Sequence, residues 1–236
     1  MSEERKGGPP RDATKELARH LKRLKELRGA QSQRPARLLE LKRFQSARLA
    51  RTYADLAAQP RYRTATAFFL DDLYGTKDFS ARDLEMIRIV PVMSRILPAS
   101  AVETAALAIE LDALSEDLDH RLAAALPGGP IDDAVYARAY RASSTPEERR
   151  RQMALIDGVG MRLDALVKKP LVARMLKLMR KPAHMAGLGD LQEFLERGFT
   201  AFRDMKGAGE FLGVLRDREE EILSRLFSGK PEPFSI

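Results

Sequence analysis

Thr145-Pro146-Glu147-Glu148 is a stretch that can start a helix and do little else. Thr145 offers a side-chain oxygen to the first free amides, Pro146 has no amide to lose at the first helical position, and Glu148 can reach back to the cap. Related start signals recur at Ser100 with Glu103 and at Ile131-Asp132, where Tyr136 is placed to staple against Ile131. Around them the apolar residues repeat at helical spacing. Leu17, Leu21, Leu24 and Leu27 make one stripe, and Leu38, Leu41, Leu49, Tyr53 and Leu56 make a second. Leu191, Leu195, Phe199 and Phe202 form a third, and Phe211, Leu212, Leu215, Ile222, Leu226 and Phe227 a fourth. No segment alternates as a strand would, and no internal repeat is found. Trp is absent and aromatics are only 6%, so the 44% hydrophobic content comes mainly from residues that favour helix over strand. The expected fold is all-α, a compact multi-helix bundle of about eight to ten helices. At 236 residues the chain is long enough to bury a sizeable core.

Residues 1–11 read as a flexible tail, 12–59 as a basic helical hairpin, 60–228 as an all-α core domain and 229–236 as a tail. In the hairpin Asp12 caps the first helix, Gly29 ends it, and Pro35 suits the first turn of the second, which runs to Gln59-Pro60. Further helices are expected over 61–74, 81–97 with a kink at Pro91 and a stop at Pro98, and 100–126. Pro127-Gly128-Gly129-Pro130 is the strongest loop and the candidate subdomain boundary. After it come a short helix from Asp132, a long one over 145–169, a short one from Pro170 to Lys181-Pro182, and two more separated by Gly207-Ala208-Gly209.

The net charge of +7 is unevenly placed. Residues 1–51 carry 15 Lys/Arg against 6 Asp/Glu, whereas 52–236 carry 26 against 28. Lys15, Arg19, Lys22, Arg23, Lys25, Arg37, Lys42 and Arg43 are therefore candidate anion-binding residues, for nucleic acid or an anionic surface. No base-stacking aromatics interleave them, and a solvated helix face accounts for the same residues. The first ten residues hold no apolar core such as a secretory signal needs, and no run is long enough to span a membrane. The expected compartment is the cytoplasm.

One stretch stands out chemically: Phe68-Phe69-Leu70-Asp71-Asp72-Leu73-Tyr74-Gly75. Gly75 suits the left-handed residue that ends a helix. Ser80 with Asp83 opens the next helix, and Phe79 and Leu84 are placed to staple it. Asp71 and Asp72 fall in a last helical turn, where the dipole disfavours a carboxylate by about 0.3–1 kcal/mol. A compensating cation is expected, from Lys77, Arg82, Arg88 or a partner. Adjacent helical residues point about 100° apart. One carboxylate is thus expected against an arginine and the other in solvent. Phe68, Phe69, Asp71, Asp72, Tyr74 and Gly75 form the candidate functional corner.

Other chemistries find little footing. Cys is absent, which excludes disulfides, thiolate metal sites and cysteine nucleophiles. A carboxylate-bridged di-metal bundle needs a Glu-His pair three residues apart on each of two helices. Only Asp117 with His120 approaches it, and these read as a surface pair. No serine sits in a nucleophile elbow, and Gly158-Val159-Gly160 and Gly187-Leu188-Gly189 are too short for phosphate loops. Gly158 and Gly160 are expected to allow close helix packing, and Gly187 and Gly189 to shape a turn. Met153, Met161, Met175, Met179, Met185 and Met205 crowd the C-terminal half, as core or as an adaptable groove. No catalytic residue, metal ligand or cofactor is assigned.

The stretch Phe68–Gly75, with the following Asp78-Phe79-Ser80-Ala81-Arg82-Asp83, resembles a group of uncharacterised bacterial proteins known for a Phe-Phe-Leu-Glu-Glu (FFLEE) motif. The run from Gly187 to Phe199 is similar to the same group. This chain has Asp71-Asp72 where the motif has two glutamates, and the shorter side chains reach less far. The resemblance implies a bacterial helical protein and no catalytic role.

These readings favour a non-enzymatic protein that binds a protein partner or forms a homo-oligomer. Binding of nucleic acid or an anionic surface by the basic hairpin is the first alternative. An enzyme or small-molecule binder with its site at the corner is the second.

Overall fold

The computed structural model describes residues 11–29, 37–73, 85, 89 and 99–236. Among the described residues there are ten α-helices, one π-helical turn and no strand. The all-α expectation is met. The expected signals at Pro35, Tyr74, Gly75, Phe79 to Leu84, Pro91 and Pro98, with the tail before Arg11, lie outside the described residues.

The organising element is α5, Ala99–Ala125. Its buried residues include Val102, Ile109, Ala113, Leu118 and Leu122 around most of its circumference, as expected of a helix covered on several sides. The first helix, α1 (Arg11–Gly29), lies along it. Leu17, Leu21 and Leu24 of α1 pack with Val102, Ala106, Ile109 and Ala113. The second, α2 (Leu38–Thr52), uses Leu38 and Leu41 at the other end of α5, beside Leu122, Ala123 and Leu126. The stripe of α1 and the first part of the α2 stripe thus face α5, while Leu49, with Tyr53 and Leu56 beyond it, joins a second cluster with Ala201, Phe202 and Phe211. Both helices lie on α5, and the link of the expected hairpin, 30–36, lies outside the described residues.

The second helix also stops earlier than its apolar spacing suggests. The chain bends at Tyr53 (φ −115°, ψ 20°), and α3 (Ala54–Ala58) continues in a new direction. The Tyr53 hydroxyl donates to Glu219 at 2.7 Å, so a tertiary contact anchors the bend. The expected 61–74 helix is α4 (Arg63–Phe68) followed by a π-helical turn, Phe69–Leu73.

Beyond Pro127–Pro130, α6 (Asp133–Ser143) starts at Asp132, whose carboxylate accepts the Val135 amide at 2.7 Å. Tyr136 and Ile131 join the cluster that holds Leu122, Ala123, Ile222 and Leu226, so the apolar interior continues across the Pro-Gly loop. The seventh helix, α7 (Pro146–Val167), has the full capping box. The Glu148 amide donates to Thr145 Oγ1 and the Thr145 amide to Glu148. Next come α8 (Pro170–Met185), α9 (Gly189–Asp204) and α10 (Gly209–Ser228). The eighth helix runs through Pro182 instead of ending there.

Glycines matter at two places on α7 and α9. A Cβ at Gly160 would lie 2.6 Å from Leu212 of α10, and one at Gly198 would lie 3.0 Å from the Phe68 ring. Close helix packing, expected of both Gly158 and Gly160, holds at Gly160 alone, since nothing lies within 4 Å of a Cβ at Gly158. Gly187, at φ 65°, makes the turn before α9.

Candidate functional site

The corner is built where α4 meets α9. Phe68, buried at the end of α4, packs against Phe194 with ring centroids 5.4 Å apart and sits over the bare Cα of Gly198. Phe69 turns the other way, 5.5 Å from the Phe211 ring and 6.4 Å from Phe202. On α9 the residues facing α4 are Phe194, Arg197, Gly198 and Ala201, the three-and-four spacing of one helical face. Arg197 therefore arrives next to Phe68, beside the π-turn.

There it meets Asp72. Arg197 Nη2 donates to Oδ1 at 2.8 Å, and Nε lies 3.2 and 3.1 Å from Oδ1 and Oδ2. Asp72 is only 5% exposed, while the Arg197 side chain is about half exposed and also approaches Glu193 at 3.6 Å. A carboxylate at the negative end of a helix is thus held by a two-pronged guanidinium contact. Asp71 points to solvent and makes no ion pair among the described residues. The π-turn helps this division, because widening the ladder by one residue changes which of two neighbours faces the core. One aspartate against an arginine is as expected, although the compensating cation was expected nearby, at Lys77, Arg82 or Arg88, or from a partner. Those three lie outside the described residues. Among the described residues the cation that meets Asp72 is Arg197, 125 positions away.

Close by, the Glu85 carboxylate accepts the Leu191 amide at 2.8 Å. It thereby caps α9, one of whose first amides would otherwise lack a partner. Tyr74 and Gly75, the remaining members of the candidate corner, are outside the described residues.

The eight cationic candidates divide into two groups. Arg19 pairs with Glu16, Arg23 with Asp117 at 2.9 Å, Arg37 with Glu40 and the Gly129 carbonyl, and Lys42 with Glu116 at 3.0 Å. Lys15, Lys22, Lys25 and Arg43 are exposed and make no ion pair among the described residues. His120 approaches Glu116 Oε1 at 3.3 Å, and Asp117 instead binds Arg23 and Arg121. The expected Asp117–His120 pair is therefore replaced by Glu116–His120, one helical turn apart. Among the described residues no cluster of three or more His, Asp or Glu is placed to hold a metal ion.

A buried polar layer lies outside every candidate functional group of residues singled out from the sequence. Arg48 donates to Glu219 at 2.5 Å, and Glu219 also accepts from Tyr53. Burial, the largest single influence on Arg48, works against its charge, but Glu219, Tyr136 and Tyr53 together outweigh it and the guanidinium is held firmly protonated. Arg149, 4% exposed, donates to Ser144 at 3.0 Å and Gln152 at 3.2 Å and stacks over Tyr140 at 4.1 Å. Burial raises the hydroxyls of Tyr136 and Tyr140 and the carboxyl of Asp119, which accepts from Gln45 at 2.9 Å. The available signal was Tyr136 and Tyr140 four residues apart, with Arg149 one turn into the best-capped helix.

Residues 24–233 match the family described as domain of unknown function DUF8198. The chain belongs to that family. The DUF8198 match takes in α2 to α10, the corner and the buried polar layer. Neither a curated protein nor a solved structure matches the chain. Among the described residues no helix is long and apolar enough to cross a membrane.

Proposed function

We propose that this DUF8198 chain works without chemistry of its own, as a cytoplasmic protein-binding or scaffold protein, and that its functional surface is the corner of Phe68, Phe69, Asp71, Asp72, Tyr74 and Gly75. The observation that carries this reading is the Arg197–Asp72 contact. The sheltered carboxylate is committed to a guanidinium, so it serves neither as a general base nor as an open ligand. Its exposed neighbours, Asp71 and the 43% exposed Leu73, offer one charge and one apolar side chain on a rigidly seated turn. That suits docking of a protein, either a partner or a second copy. The likeness to the bacterial FFLEE group accords with such a role. Affinity purification of the tagged full chain is expected to return a stoichiometric partner or a homo-oligomer that Asp71→Lys with Leu73→Glu releases. A strictly monomeric chain without a partner, or a partner that the double variant retains, would overturn the reading.

A second reading rests on Lys15, Lys22, Lys25 and Arg43, whose charges are exposed and unpaired among the described residues. They support binding of nucleic acid through phosphate neutralisation. Deleting the first helix would strip Leu17, Leu21 and Leu24 from the core. The cleaner test is Lys15→Glu, Lys22→Glu and Lys25→Glu in the full chain, read by gel shift across a salt series. Wild-type binding that weakens steeply with salt and is lost in the triple variant supports this reading, and the absence of a shift removes it.

A further inference from the structure

Between Asp164 and Asp190 the chain contains no carboxylate and six Lys/Arg: Lys168, Lys169, Arg174, Lys177, Arg180 and Lys181. Most of that interval is α8, Pro170–Met185. Among the described residues only one flank of α8 meets the rest of the protein. Ala183 is buried, Val172 and Leu176 are half-buried, and the Leu176 carbonyl accepts from Gln192 of α9 at 2.8 Å. The neighbouring flank is apolar too, yet it faces water. Leu171 is 60% exposed, Leu178 75% and Met185 88%.

These three residues are spaced by seven, so they lie nearly in line along the helix over about 21 Å. Pro182 and the half-buried Met175 widen the same stripe. Arg174 and Lys181 lie within about 60° of it around the helix axis, with Lys177 next beyond. Arg180 is taken by Glu196 at 2.6 Å and Lys168 by Asp164 at 2.5 Å. Arg174, Lys177 and Lys181 are exposed and make no ion pair among the described residues.

We infer that α8 is a docking surface for an anionic phospholipid bilayer, on which it lies in the plane of the interface. The stripe of Leu171, Leu178 and Met185 enters the boundary between headgroups and acyl chains. Arg174, Lys177 and Lys181 meet the lipid phosphates from its edge. This is the division of labour of an interfacial amphipathic helix: one apolar face, one cationic flank and no acid. Nucleic acid would neutralise the same cations but leave the leucines and Met185 in water. A second protein helix would cover the stripe but leave three cations without counter-charge unless it were acidic. An anionic bilayer satisfies both halves of the surface. This surface lies apart from the corner, and its variants leave Asp71 and Leu73 untouched.

The test is flotation of the full chain with vesicles of phosphatidylcholine alone and of phosphatidylcholine mixed equally with phosphatidylglycerol. Binding is expected at least about tenfold stronger to the mixed vesicles, falling as salt is raised. Leu178→Glu with Met185→Glu is expected to remove it. Both positions are solvent-exposed, so the variant's far-ultraviolet circular dichroism and thermal midpoint should match the parent. Because the chain has no tryptophan, Leu178→Trp adds a single reporter. Its emission should shift to the blue with mixed vesicles only. Failure to float with mixed vesicles, or equal binding to both kinds, would overturn the inference. So would binding that survives the double glutamate variant and is lost in the Lys15, Lys22 and Lys25 variant. A dimer in light scattering that the glutamates dissociate would overturn it in favour of a second copy on the stripe.

Discussion

Arg197 reaches Asp72 across 125 residues of chain and takes both carboxylate oxygens, with its closest contact 2.8 Å. The two residues are unequally placed. Asp72 is buried and Arg197 is half in water, so removing one is not equivalent to removing the other. Arg197→Ala removes a two-pronged guanidinium contact from a buried carboxylate and is expected to cost about 1–3 kcal/mol in urea unfolding. Asp72→Asn leaves an arginine that can turn to solvent and is expected to cost less than half as much. Equal losses would mean that the pair does not anchor the turn in this way.

Gly158 and Gly160, two residues apart on α7, are expected to respond oppositely to alanine. Nothing lies within 4 Å of a Cβ at Gly158, so Gly158→Ala should stabilise by about 0.5–1 kcal/mol through lower backbone entropy in the unfolded chain. At Gly160 the new atom would sit 2.6 Å from Leu212, which is 2% exposed and held by its neighbours. Gly160→Ala should destabilise by about 1–3 kcal/mol. Thermal midpoints of the two variants moving in the same direction would contradict the packing of α7 on α10.

Glu219 serves two buried donors, Arg48 and Tyr53. Glu219→Ala leaves the Arg48 charge uncompensated in the interior, at a cost of about 3–5 kcal/mol. Glu219→Gln keeps an oxygen for one of the donors and is expected to fall between the alanine variant and the parent. The chemical denaturation midpoint orders the three proteins.

Glu148 sets a pH dependence. The Arg121 hydrogen bond, first, and the Thr145 amide, second, hold its carboxyl below the ordinary value of 4.5. A carboxyl lowered in the folded state contributes stability that is present above 4.5 and is lost as pH falls through the folded value. Glu148→Gln keeps an acceptor for the cap but no charge. The variant should be weaker than the parent at neutral pH, and the two should converge well below 4.5. A constant gap across that range, measured by urea midpoints, would remove the charge from the account. The side chain is one-third exposed, so the effect is modest.

Much of the fold was legible because its signals are local. Thr145 with Glu148, Asp132, and the three-and-four spacing of Leu17, Leu21 and Leu24 act within one or two turns, where sequence distance and spatial distance agree. The helix ends were less legible. The bend at Tyr53 depends on Glu219, and the persistence of α8 through Pro182 has no local signature. At the corner, the opposite fates of Asp71 and Asp72 followed from the angle between adjacent helical residues. The partner could not be found that way, because which of 41 Lys/Arg lands beside Asp72 is decided by how α9 crosses α4.

The sequence by itself determined most of the helices, the caps at Asp132 and Thr145, the apolar stripes and a carboxylate in need of a cation, since each follows from interactions within a few residues. Only the tertiary structure decided that the two basic N-terminal helices share α5, that Arg197 meets Asp72, and that one apolar stripe of α8 stays in water. Those outcomes depend on which faces meet, and burial is a property of the assembled surface rather than of any segment.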